Sequence, residues 1–216
     1  MYLSVDDKAR VPIGLTAANK QAPLMMHLDY RVTLPDHDFV KASQHKLIPS
    51  VNAICLIEED GTVSHSGPMM IRIRSAKHDS SSAHTHHSDF VEILDIHSEH
   101  KKPITVITVD GGPDENPRFP KTLAFSIKKF IDFDMDVLIT FTHAPGNSAF
   151  NFVERRMAPL SKELAGVVLP HEHYGSHLDS SGRTTDKELE KENFRHAGQT
   201  LAEVCFCIKL NTLYYN

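Results

Sequence analysis

The sequence predicts one α/β domain: a mixed sheet of three antiparallel strands followed by two parallel ones, flanked by helices, with an extra helix near the C-terminus. Three observations carry this. Residues 50–58 (SVNAICLIE) and 66–75 (SGPMMIRIRS) are strand-like runs joined through Asp60-Gly61, a hairpin signal. From Ile104 onward, apolar runs of strand length alternate with helical patterns, the order in which helices link parallel strands. A chain of 216 residues, 40% apolar and 24% charged, suits a single globular core. The core is expected over residues 1–204 and a tail over 205–216.

In order, residues 2–5 read as a first strand and 11–14 as a turn into a second extended piece. Residues 15–50 are mixed, with Pro23, Pro35 and Pro49 breaking any long helix. Within them 28–34 could be extended, and Asp36-His37-Asp38 is a polar turn or a ligand set. In 66–75, Ile71 and Ile73 fall on one face and Arg72 and Arg74 on the other. Serines 80–82 are candidate caps for a helix over 83–96, with Phe90, Val91 and Leu94 at helical spacing. Residues 104–109 form a buried strand. A helix over 117–133 follows, its inner stripe made of Leu123, Ile127, Phe130 and Ile131, with Lys121, Lys128 and Lys129 outside. Residues 136–142 are another buried strand. A helix over 149–165 carries Phe150, Val153, Met157, Leu160 and Leu164, and Pro159 predicts a kink or break in it. The His-, Gly- and Ser-rich stretch 170–183 is a loop, and 184–202 is a charged amphipathic helix capped by Thr185 or Asp186. This succession is the order of a ribonuclease H-like sheet.

Composition narrows the function classes. No stretch approaches the roughly 20 apolar residues of a membrane span, and no basic region precedes an apolar run at the N-terminus. Cys55, Cys205 and Cys207 have neither zinc-ligand nor disulfide-framework spacing. The expected setting is therefore intracellular, nuclear in a eukaryote and otherwise cytoplasmic. A net charge of −5 argues against non-specific nucleic-acid binding by charge alone, though it permits a local basic groove.

The chemistry centres on carboxylates. Residues 104–109 (ITVITV) suit a strand buried on both faces, and Asp110 follows at its carboxyl end before Gly111-Gly112-Pro113. That edge is where α/β sheets place ligands, although Asp and Gly also simply end strands. Asp6 ends the first strand; if the two strands are parallel neighbours, both carboxylates leave the same edge. Glu154, in the third helix, can be aimed at them. Three converging carboxylates cannot all stay ionised without cations. Oxygen ligands favour Mg²⁺ or Mn²⁺ over zinc. Two such ions about 3.5–4 Å apart would activate a water or 3′-hydroxyl and stabilise the leaving oxygen of a phosphodiester. Asp7 and Asp114 are neighbours that could serve in place of Asp6 or Asp110.

Asp6 in YLSVDDKARVPIG, Asp110 in ITVDGGPDENPR and Glu154 in SAFNFVERRMAPLS together resemble the catalytic core of the DDE transposase/integrase superfamily. The Asn-x-x-Glu-Arg form is similar to the third-carboxylate motif of mariner-like and related insertion-sequence transposases. Phe152 stands where many members have proline. The resemblance implies a two-metal Mg²⁺ or Mn²⁺ site held by Asp6, Asp110 and Glu154, with nicking and strand transfer on DNA at element ends. It also implies a separate or missing DNA-binding domain, and hence a truncated or decayed copy; it admits a homo-oligomer. The rival expectations are a non-enzymatic, element-derived binding protein and a ribonuclease H-fold nuclease.

Lys8, Arg10, Lys77, Arg118, Arg155 and Arg156 are candidate phosphate contacts, as are His171 and His177 if their loop folds over the site. His171, His173 and His177 have spacing that can bind zinc. Among the 15 histidines, His84, His86 and His87 lie in a polar run and are expected to face solvent.

Overall fold

The computed structural model describes residues 1–7, 10–14, 42, 44–144, 147, 150–164 and 167–207. The expectations at Lys8, residues 28–34, Asp36-His37-Asp38 and the end of the tail fall outside them.

Ten longer elements make up the described chain. They are β1 (Tyr2–Asp7), β2 (Val11–Pro12), β3 (Lys46–Cys55), β4 (Met69–Ser75), α1 (Ala83–Ile96), β5 (Ile104–Val109), α2 (Pro120–Asp132), β6 (Val137–Thr142), α3 (Phe152–Glu163) and α4 (Lys187–Cys207). β3 pairs antiparallel with β1, from Tyr2↔Cys55 to Asp7↔Ser50, and with β2 through Val11↔Leu47. Its other edge takes β4, from Leu47↔Ser75 to Ala53↔Met69. β1 pairs parallel with β5, and β5 with β6. Across the sheet the order is β4, β3, β1 with β2 continuing its line, β5, β6. The α/β mixed sheet of antiparallel and parallel pairs flanked by helices agrees with the sequence.

Alternation along the strands builds one core on each face. Leu3, Val5, Ile54 and Met70 pack under α1 against Phe90, Ile93 and Leu94. Val51, Ala53, Met69 and Ile71 pack on the opposite face under Val153, Met157 and Leu160 of α3 and Ala197 and Leu201 of α4. The hairpin between β3 and β4 closes through Gly61 at φ 83°, with Asp60 Oδ1 accepting from the Thr62 amide at 2.8 Å.

Several expectations need correction. β1 runs on through Asp6 and Asp7, because both continue the ladder with β3. α2 begins at Pro120, and the stripe read as its inner face is outside: Leu123, Ile127, Phe130 and Ile131 are all exposed. The inner face is instead Thr122, Phe125, Ser126 and Lys129. The Thr122 hydroxyl donates to Pro113 O at 3.1 Å, and Phe125 packs its ring on His84 and His87. Lys129, expected outside, holds Nζ 4.9 Å over the Phe90 ring, and burial pushes its amine down to about 8. β5 is buried as expected apart from its first residue, Ile104, and the half-buried Val106, but β6 is not a buried strand: Val137, Ile139 and Phe141 are exposed. α3 starts at Phe152, leaving Phe150 exposed, and continues through Pro159, which lies on its exposed side. His86 and His87 are buried, not solvent-facing. α4 extends to Cys207 and buries Cys205.

Candidate metal centre

Ser4 and Thr108 close the parallel ladder of β1 and β5. Two residues further along each chain come Asp6 and Asp110, so the two carboxylates leave the sheet at the same level. Asp6, only 6% exposed, shares the face of Ser4 and of its partner Val51, the face that α3 covers. Asp110 is exposed, and its Oδ1 accepts from the Gly112 amide at 2.7 Å. Gly111 has φ 95°, which favours glycine. A Cβ on Gly112 would lie 2.8 Å from Asp114 Oδ1 and 3.3 Å from Asp110 Oδ1, so this turn has no room for a side chain between the two acids.

Glu154 occupies the first turn of α3. That turn is placed by Asn151, wholly buried just ahead of it. The Asn151 amide donates to Val5 O at 3.1 Å, its oxygen accepts from the Ser4 hydroxyl, and the Val153 amide donates to Ser4 Oγ at 3.1 Å. One turn separates Asn151 from Glu154, and two strand residues separate Ser4 from Asp6, so the same contacts lay Glu154 over Asp6.

The electrostatics reflect the crowding. Burial first, then the charges of Glu154 and Asp110 and a hydrogen bond between Asp6 and Glu154, push the Asp6 carboxyl up to about 8. Glu115 is almost fully buried, and its Oε1 has no hydrogen-bond partner. Burial raises its carboxyl well above the usual range, helped by its hydrogen bond to Asp110 and by the charges of Asp110, Asp7 and Asp6. Sequence reasoning missed Glu115, since an acid in a polar loop reads as solvated.

Asp7 faces the other way, toward α1. It forms a second group with His86 and Asp114, whose potential ligand atoms lie within 4.8 Å of one another. The Ser50 hydroxyl donates to Asp7 Oδ1 at 2.5 Å, and His86 Nε2 lies 3.4 Å from Asp114 Oδ2. The hydrogen bond from His86 is the main cause holding the Asp114 carboxyl below its usual range. His86 was also missed, though a signal existed: with Phe90 and Ile93 it falls at helical spacing on the buried stripe.

Asp6, Asp110 and Glu154 thus neighbour one another from β1, the end of β5 and α3, close enough to interact electrostatically; their potential ligand atoms do not all lie within 4.8 Å of one another, as those of Asp7, His86 and Asp114 do. The donors of Asp6, Asp110 and Glu154 are all oxygen, the ligand chemistry of a hard divalent cation. Asp7, His86 and Asp114 are a mixed oxygen and nitrogen group that could also hold one.

The basic candidates scatter. Arg10 is exposed beyond β1, and Arg118 is exposed with its guanidinium 4.8 Å from the Phe119 ring centre. Arg155 Nη1 lies 3.3 Å from His65 Nε2. Arg156 donates to the Gly67 and Ile54 carbonyls at 2.5 and 3.4 Å. Lys77 Nζ is 2.7 Å from Glu190 Oε2. His171 and His177 are buried beside His45, whereas His173 is exposed and its ring stacks on His196 at 3.7 Å. No helix among the described residues is long and apolar enough to cross a membrane.

Comparison with protein-family models and with curated proteins finds no match to this chain.

Proposed function

We propose that this chain is a ribonuclease H-like catalytic core of the DDE transposase type, carrying out divalent-metal-dependent phosphoryl transfer on DNA. The observation that carries the reading is that Asp6, Asp110 and Glu154, from three separate elements, are neighbours at one sheet edge, where burial first and then the charges of Glu154 and Asp110 push the Asp6 carboxyl up to about 8. The sheet order, with three antiparallel strands on one side and two parallel strands on the other, supports the fold assignment.

Asp6, Asp110 and Glu154 would hold Mg²⁺ or Mn²⁺. The ions supply activation of a water or 3′-hydroxyl and neutralisation of the leaving oxygen. The chain's own part is positional. The Gly112 amide fixes the Asp110 carboxylate, and Asn151 fixes the turn that carries Glu154. Gly111 and Gly112 leave the carboxylate edge unobstructed for a phosphodiester backbone.

The test is nicking of supercoiled plasmid with Mg²⁺ or Mn²⁺, with single-stranded, duplex and RNA–DNA hybrid substrates run in parallel. Metal-dependent DNA nicking that falls at least about 100-fold in both Asp110→Asn and Glu154→Gln supports the reading. Cleavage confined to RNA or hybrids would make the chain a ribonuclease instead. Equal nicking by wild type and variants, or none from either, would leave a non-enzymatic binding module.

A further inference from the structure

A second cluster of chemistry-bearing side chains lies away from the carboxylates. His45 immediately precedes β3; His171 and His177 come from the loop between α3 and α4. All three are more than nine-tenths buried. Their rings pack on one another with centroids 5.0–5.5 Å apart. One nitrogen from each lies within 4.8 Å of the other two, and His45 Nε2 is 2.9 Å from His177 Nε2. Three imidazoles gathered in a core, two of them from a loop, need more than apolar packing to account for them.

We propose that His45, His171 and His177 bind a zinc ion that fastens the 170–186 loop to the start of β3. This site is independent of the phosphoryl-transfer reading.

The donor chemistry and geometry fit. Nitrogen ligands suit zinc far better than Mg²⁺ or Mn²⁺. Tetrahedral zinc with bonds of about 2.0–2.1 Å places its ligand nitrogens roughly 3.3 Å apart, so His45 and His177 need to part by only about half an ångström. The fourth position has a donor within reach: Glu190 Oε2 is 3.5 Å from His45 Nε2. Burial works against its ionisation, but hydrogen bonds from Lys77 and Thr184 hold its carboxyl below the usual range.

Asn193 supplies the outer support. Its oxygen accepts from the Tyr174 amide at 3.0 Å, and its Nδ2 lies 3.0 Å from Gly175 O and 2.9 Å from His177 Nδ1. This leaves His177 Nε2 facing the cluster. Coordination through Nε2 puts the ring proton on Nδ1, so the Asn193 amide must make a half-turn and present its oxygen there, giving up its bonds to the Tyr174 amide and the Gly175 carbonyl.

Without an ion, the cluster is a set of packed rings in which His45 and His177 share a hydrogen bond, and experiment separates the two. The chain, purified without chelators, is assayed for zinc, and cobalt is then exchanged in. The expected result is about one zinc per chain, removable by a strong chelator with a fall in Tm, and a visible cobalt spectrum of tetrahedral intensity. His171→Gln and His45→Gln, each checked for fold by circular dichroism, should bind zinc at least about tenfold more weakly. Asp110→Asn should bind it as wild type does. A wild type that takes up no zinc overturns the proposal. So does zinc retained by His171→Gln but lost from Asp110→Asn, which would put the ion on the carboxylates.

Discussion

Asn151, ahead of α3, is hydrogen-bonded to Ser4 in the middle of β1, and neither residue has any exposed surface. The pair fixes where α3 meets the sheet, and so where Glu154 stands relative to Asp6. Asn151→Leu would strand the Ser4 and Thr108 hydroxyls in the core. The expected cost is about 2–4 kcal/mol, a fall in Tm of roughly 5–15 °C. A thermal melt reads the stability. Nicking assayed below the lowered Tm should also be impaired, because Glu154 loses its anchor.

The Asp6 carboxyl predicts an unusual pH dependence. Its folded value, about 8, lies above the ordinary 3.8, so the folded state binds the extra proton. Stability contributed this way falls as pH rises from 3.8 toward 8. Between about pH 7.5 and 8.5, above the ordinary histidine value of 6.5 and through the folded value of Asp6, the metal-free protein should lose stability in denaturant melts with chelator present. Mg²⁺ or Mn²⁺ should restore it, since a cation replaces the proton. Asp6→Asn should flatten the slope and stabilise the metal-free protein at pH 8 by about 1–3 kcal/mol while abolishing activity. Stability that climbs across this window in wild type would contradict the crowding.

Arg74 ties α1 to the second group, that of Asp7, His86 and Asp114. Its Nη2 lies 2.5 Å from Asp89 Oδ2, and its Nε donates to Ser50 Oγ at 3.2 Å, which in turn donates to Asp7. Arg74→Met leaves Asp89, 2% exposed, with only the longer contact to Arg72 at 3.4 Å. Urea unfolding should show a loss of about 3–5 kcal/mol, and Asp89→Leu added to it should recover much of that.

The outer face of α2 makes the opposite prediction. Ile127 and Ile131 are 52% and 68% exposed. Replacing both with lysine should change the unfolding free energy by less than about 0.5 kcal/mol each. A loss of several kcal/mol would mean that the stripe is inside after all.

Most elements of this fold were legible because each leaves a local mark: the Asp60-Gly61 hairpin, the apolar run before Asp110, the Ser82 cap ahead of α1. The placements of Asp110 after β5 and of Glu154 in the first turn of α3 were legible for the same reason, while Asp6 lies inside β1 because the ladder with β3 carries the strand on to Asp7. Glu115 and His86 were not, because polar residues in polar stretches look solvated until a neighbouring element closes over them.

Periodicity told that α2 has an apolar stripe; it could not tell which way the stripe turns. That depends on the loop from Asp110, where Pro113 O receives the Thr122 hydroxyl and rolls the helix onto its polar face. In the same way, HxHxxxH in the 170s marked histidines of interest, but His45 replaces His173 beside them, 126 residues before His171. Local sequence carries the backbone's short-range preferences, which are properties of neighbours along the chain. Which face is buried, and which distant side chains meet, are set by the packing of whole elements, and only the folded chain contains that information.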